Sequence, residues 1–182
     1  EEAYISKDAS PFSDAMAEKA MELIGGNIRK FVADRTNIEA AEAMLVGSLF
    51  AGIAFSFARL GNVHAMSHPV SAYFDVPHGV ANAVLLPVVA EYNALADSGK
   101  YFNIYNYINP VKAYKDEFEP MMLVDAIKDL CNDIGIPENL TIAVNNASKT
   151  GEVTKEEIES KISAMADDAM KSGNIMVNPR SS

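Results

Sequence analysis

Strand-like runs are nearly missing from this chain of 182 residues, and cysteine, tryptophan and histidine are scarce: one Cys, no Trp and three His. Each shortage excludes something. Without alternating β-branched segments there is little to build a sheet from. Apolar spacings of three and four dominate instead, and the expected fold class is all-α. The lone Cys131 cannot close an intramolecular disulfide, which removes the stapled secreted scaffolds and makes a reducing, cytoplasmic setting the expectation. No run of 18 apolar residues occurs, and the first residues show neither a basic n-region nor a cleavage pattern, so no membrane span or signal peptide is expected. Positive charge is also short, with 15 Lys and Arg against 25 Asp and Glu and a net charge of −10. Such a field repels nucleic-acid phosphates and anionic lipid, so neither is an expected partner and small neutral or polar ligands remain open.

What is present is apolar bulk, 49% of residues, enough for one domain over residues 1–182. A first helix is expected to start at Ser10-Pro11 or Ser13-Asp14 and end near Asp34-Arg35, with Ala20, Leu23, Ile24, Ile28 and Phe31 on its apolar face. A second runs from about Asn37 to Leu60 and is almost uncharged after Glu42. A helix apolar all round reads as a buried central one, and its small residues, Gly47, Ser48, Ala51, Gly52, Ala54 and Ser56, imply close backbone approach. Gly61 stops it, a short helix follows, and a third long helix is expected from Pro77 to about Ala96, kinked at Pro87. A short aromatic helix over Tyr101 to Tyr107, an amphipathic one over Met121 to Ile134, and a last one behind the capping box Thr154-Lys-Glu-Glu157 complete the pattern. The aromatic cluster reads as packing, and Cys131 has no neighbour that would activate it.

All three histidines fall within one window, Gly61-Asn-Val-His64-Ala-Met-Ser-His68-Pro-Val-Ser-Ala-Tyr-Phe-Asp-Val-Pro-His78-Gly79. His64 and His68 are i and i+4, one turn apart on a helix face. Asp75-Val76-Pro77 breaks that helix, so His78 can open the next and return to the same point. Convergent imidazoles suit a divalent metal or proton transfer. A lone helical histidine is more often a hydrogen-bonded core residue; it is the clustering that turns the reading toward chemistry. A His-Glu-x-x-His hydrolytic zinc helix is excluded, because Ala65 stands where that motif has its glutamate. No cysteine cluster, phosphate-cradling glycine loop or Ser-His-Asp order offers a second chemistry.

The run Gly61-Asn-Val-His64-x3-His68-Pro69 followed by Pro77-His78-Gly79-Val-Ala-Asn82-Ala-Val-Leu-Leu-Pro87 resembles the signature of the iron-containing, or group III, alcohol dehydrogenases. The likeness extends to Ala9-Ser-Pro-Phe-Ser-Asp14, Tyr92-Asn93, Gly135-Ile-Pro137, Gly173-Asn174 and Asn178-Pro179-Arg180. The resemblance implies a dehydroquinate-synthase-like helical domain, paired in the family with a Rossmann-like domain that binds NAD or NADP. It also implies a divalent metal, Fe2+ with Zn2+ or another ion as alternatives, held by one aspartate and three histidines, the last two matching His64 and His78. His68 matches a histidine assigned a proton-relay role, and a supporting or structural role stays open for it. The implied substrates are short-chain primary alcohols or diols and their aldehydes, with hydride passing to the nicotinamide, and a homo-oligomer is the expected assembly. The aspartate and first histidine would precede a segment like Glu2-Ala-Tyr-Ile-Ser6, so the chain reads as a fragment without the nucleotide-binding domain. With two of four ligands, it is expected to bind metal weakly or not at all and to be inactive alone. The competing reading is a non-catalytic helical module for assembly or ligand binding.

Overall fold

A computed structural model describes residues 1–181. Its described residues form helices and turns, with no strand: α1 (Glu2–Ile5), α2 (Pro11–Ala33), α3 (Ile38–Ala58), α4 (Asn62–Phe74), α5 (His78–Ala94), α6 (Lys100–Ile108), α7 (Pro120–Asp133), α8 (Leu140–Ala147) and α9 (Lys155–Met170). Local chemistry accounts for the boundaries. Ser10 caps α2 by accepting from the Ser13 N–H at 3.2 Å, with Pro11 in the first turn. Asn37 caps α3 through Ala40 N–H, and Thr154 with Glu157 closes the capping box of α9. Gly135, at φ +75°, ends α7 in the left-handed conformation that glycine adopts without strain. The expected helices are all present, within a few residues of their expected ends. α1 and α8 are additions. They are too short for a periodic signal, and α8 is announced only by its cap Asn139.

Two apolar clusters share α5. One gathers Tyr4, Met21, Ala54, Ala90, Tyr101, Ile104, Leu123 and Ile127 from α1, α2, α3, α5, α6 and α7. The other gathers Val70, Ala81, Val144, Ile158 and Met165 from α4, α5, α8 and α9. Each large apolar side chain buried in this way contributes about 1.5–3 kcal/mol relative to exposure. The aromatic helix serves packing as expected: Tyr101 is buried and its hydroxyl donates to the Ala90 carbonyl at 2.8 Å, while Phe118 sits against Phe102 and Tyr105. α5 runs as one helix through Pro87, and α4, longer than expected, runs through Pro69.

The expectation that α3 is buried on all sides is overturned. Its buried side is narrow, Ala40, Gly47, Ala54 and Ala58, and lies mainly against α2. Leu45, Leu49 and Ile38 on the other side are 74%, 63% and 81% exposed. Uniform apolarity says that a helix can be covered everywhere, not that this chain supplies the cover. The close approach is real at Gly47, where a Cβ would lie 2.7 Å from Ile24 Cγ1; at Gly52 it would meet nothing within 4 Å. By length and composition α3 also qualifies as a helix able to cross a bilayer, which counting unbroken apolar runs had not registered.

Candidate metal centre

The site lies where the N-termini of α4 and α5 meet beneath α1. Gly61 and Pro77 precede those helices, and neither can cap with a side chain. For α4, distant residues cap instead. Asn178 Oδ1 accepts from Asn62 N–H at 3.2 Å, and Glu2 Oε1 accepts from Val63 N–H at 2.7 Å. A carboxylate at a helix N-terminus is favoured by the oriented peptide dipoles. Both caps need Gly61: a Cβ there would stand 2.8 Å from Glu2 Oε1 and 2.9 Å from Asn178 Oδ1. Its φ of −138° suits any residue, so the requirement is room, not conformation.

The three histidines come together as their spacing implied. Ring centroids lie 5.3 Å apart for His64 and His78, 5.2 Å for His68 and His78, and 6.2 Å for His64 and His68. His64 is half-buried and its Nδ1 hydrogen-bonds Glu2 Oε2. The Asn82 side-chain nitrogen lies 3.2 Å from His64 Nε2 and 3.1 Å from His78 Nε2, so both rings turn an ε nitrogen toward one point. His78 is exposed and stacks on His68 at an interplanar angle of 21°. Burial lowers the His78 pKa, and the neighbouring His64 and His68 act in the same direction, which favours the neutral ring that can ligate a metal. His68 is exposed, and among the described residues no hydrogen bond joins it to Glu2 or Asn82.

Beside His64 opens an apolar cavity of about 570 Å³, lined by Met21, Ile24, Phe55, Leu86 and Ile127 among others, with Glu1, Glu2 and Asn82 at its polar end. Burial pushes the Glu1 carboxyl up to about 7, and both Glu1 carboxyl oxygens are buried without a hydrogen-bond partner. Cys131 also lines the cavity, and burial raises its thiol pKa, consistent with an unactivated cysteine. Gly79 does not serve close packing, because a Cβ there would meet no atom of the described residues within 4 Å.

Sequence reasoning missed Glu2, and it quoted Asn82 and Asn178 without giving them roles. The available signal for Glu2 was an acidic residue with apolar neighbours, Ala3 and Tyr4, that becomes 6% exposed on folding. Two motif pieces far apart in the chain, Tyr92-Asn93 and Asn178-Pro179-Arg180, form one clasp. Asn178 Nδ2 donates to Asn93 Oδ1 at 2.7 Å, Asn93 Nδ2 donates back at 3.2 Å, and Arg180 lies 4.0 Å over the Tyr92 ring.

Residues 1–182 match the model of the Fe-containing alcohol dehydrogenase family, C-terminal part. The chain belongs to the iron-containing alcohol dehydrogenase family. It is 42% identical to the 1,3-propanediol dehydrogenase of Citrobacter freundii over 181 residues, 98% of this chain and 43% of that protein. Against the lactaldehyde reductase of Escherichia coli K12 it is 38% identical over 174 residues, 95% of this chain and 43% of that protein. Among solved structures, a 1,3-propanediol oxidoreductase superposes with a TM-score of 0.85 at 42% identity, covering all of this chain and 44% of that one. The alcohol dehydrogenase from Oenococcus oeni gives 0.86 at 32% identity, with 44% of its chain covered. The chain therefore spans less than half the length of the relatives it matches.

The donor chemistry here fits the family's metal in part. Two imidazole nitrogens facing one point suit a borderline divalent cation, and the buried Asn82 Oδ1 beside them has no hydrogen-bond partner. Among the described residues no group of three or more His, Cys, Asp or Glu side chains forms a metal cage.

Proposed function

We propose that this chain is the helical, metal-holding part of an NAD- or NADP-dependent oxidoreductase that interconverts short-chain primary alcohols or diols with their aldehydes. The observation that carries this reading is the convergence of His64 Nε2 and His78 Nε2 beside an apolar cavity. Membership of a family whose relatives are named for 1,3-propanediol and lactaldehyde supports it.

His64 and His78 would hold the divalent cation. The family name points to iron, and the same nitrogen donors accept zinc, cobalt or nickel. When bound, such a cation supplies Lewis-acid charge to an oxygen of the substrate. An apolar cavity wall lies beside His64. His68, exposed and stacked on His78, is suited to pass a proton between the site and bulk solvent. Nucleotide binding and the remaining metal ligands fall to a longer protein.

Titrating zinc or iron(II) into the 182-residue protein tests the ligand count. Binding weaker than micromolar and no alcohol-dependent NAD reduction are expected; a stoichiometric micromolar site would overturn the two-ligand assignment. In the longer protein, His64→Ala and His78→Ala should each abolish metal retention. His68→Ala should keep the metal and lower turnover by about 10²-fold. Retention of metal by both ligand variants would refute the site.

A further inference from the structure

We propose that Glu2 is a positioning residue for the metal site: it locks His64 as the Nδ1-protonated tautomer, so that a bare Nε2 faces the point shared with His78. The purpose assigned to this lock rests on the metal-site reading above, but the lock itself exists in the metal-free chain and is measured there.

Glu2 is 6% exposed, and its two carboxylate oxygens have separate tasks. Oε1 accepts from Val63 N–H at 2.7 Å, and Oε2 meets His64 Nδ1. The backbone N–H is an obligatory donor, so this first bond fixes the rotation of the carboxylate. An ionised carboxylate only accepts, so Nδ1 must carry the hydrogen, and in the neutral ring the lone pair then lies on Nε2. Asn82 fits the same arrangement. Its side-chain nitrogen sits within 3.2 Å of both His64 Nε2 and His78 Nε2. An NH2 group has two hydrogens and no acceptor, so the arrangement is self-consistent only if both ε nitrogens are bare. The reverse amide orientation would need a hydrogen on each ε nitrogen, and with Nδ1 of the neutral His64 ring already protonated against Glu2 that ring has none to offer. Gly61 belongs to the same arrangement, because any side chain there would press on Glu2 Oε1 and Asn178 Oδ1.

A capping role alone would need only one oxygen, and that separates the two readings. In Glu2→Gln the side-chain carbonyl keeps the bond from Val63 N–H, and the NH2 then faces His64 Nδ1. An NH2 can only donate, so Nδ1 must accept and the hydrogen moves to Nε2, where it covers the ligand lone pair and opposes the Asn82 NH2. With histidine 15N-labelled, nitrogen shifts report directly which ring nitrogen carries the hydrogen.

Wild type should show His64 with Nδ1–H and Glu2→Gln should show it with Nε2–H, while the thermal midpoint stays within a few degrees. In the longer protein the same variant should hold zinc about 10- to 100-fold more weakly, the usual effect of losing a partner that orients a ligand. An unchanged His64 tautomer in Glu2→Gln would overturn the proposal, whatever the metal does. So would a wild-type spectrum with Nε2–H on His64, a result that does not depend on the variant folding. A tautomer switch with unchanged zinc affinity would uphold the lock and count against the metal-site reading instead.

Discussion

The first turn of α4 and the outer face of α3 are neighbours in sequence and opposites in character. At α4, two backbone N–H groups are met by side chains that arrive from 61 and 116 residues away, and the glycine before them leaves room for nothing else. On α3, Leu45 and Leu49 stand 74% and 63% exposed. The difference follows from the two kinds of cost. A buried donor left unpaired costs about 1–3 kcal/mol, and the two N–H groups of α4 each find an acceptor within the folded unit. An uncovered leucine forfeits a similar amount of burial free energy but leaves nothing unpaired, so an apolar face can stay open. The first turn of α4 is therefore closely specified by its caps, and the outer face of α3 is left open.

Asn178→Ala attacks the specified region hardest. It removes the acceptor that Asn178 Oδ1 offers to Asn62 N–H and takes two hydrogen bonds from the buried Asn93 amide. A loss of about 3 kcal/mol is expected, read as a fall of roughly 6–12 °C in Tm for a chain of this size. Gly61→Ala comes next. The new Cβ, 2.8 Å from Glu2 Oε1, must push aside one or both caps, at a cost of about 2 kcal/mol. Leu49→Gln, on the open face, should change stability by no more than about 0.5 kcal/mol. Urea titrations of the three variants would rank them, and a loss at Leu49 equal to that at Asn178 would erase the distinction between the regions.

Most helices were legible because their signals are local. Ser10, Asn37 and Thr154 accept from backbone N–H groups three residues on, and Gly135 takes the positive φ that ends α7. α3 shows the limit of such reading, since its composition reports that all faces tolerate burial and is silent about which neighbours exist. The candidate site divides in the same way. The spacing of His64, His68 and His78 announced one cluster, and the rings do lie within 6.2 Å of each other. Spacing did not separate their environments. His64 is tied to Glu2 and Asn82, His78 to Asn82, and His68 is exposed and stacked on His78.

The sequence by itself determined the helices, their caps, the break at Asp75-Val76-Pro77 that turns His78 back toward His64, and the family resemblance carried by the histidine motif. Each depends on residues a few positions apart, where backbone geometry converts spacing into direction. The tertiary structure alone decided that Glu2 and Asn178 cap α4, that Asn93 and Asn178 clasp each other, that an apolar cavity opens beside His64, and that α3 keeps an uncovered side. Those outcomes join residues far apart in the chain, and a local periodicity carries no record of which distant group will satisfy a donor or cover a face.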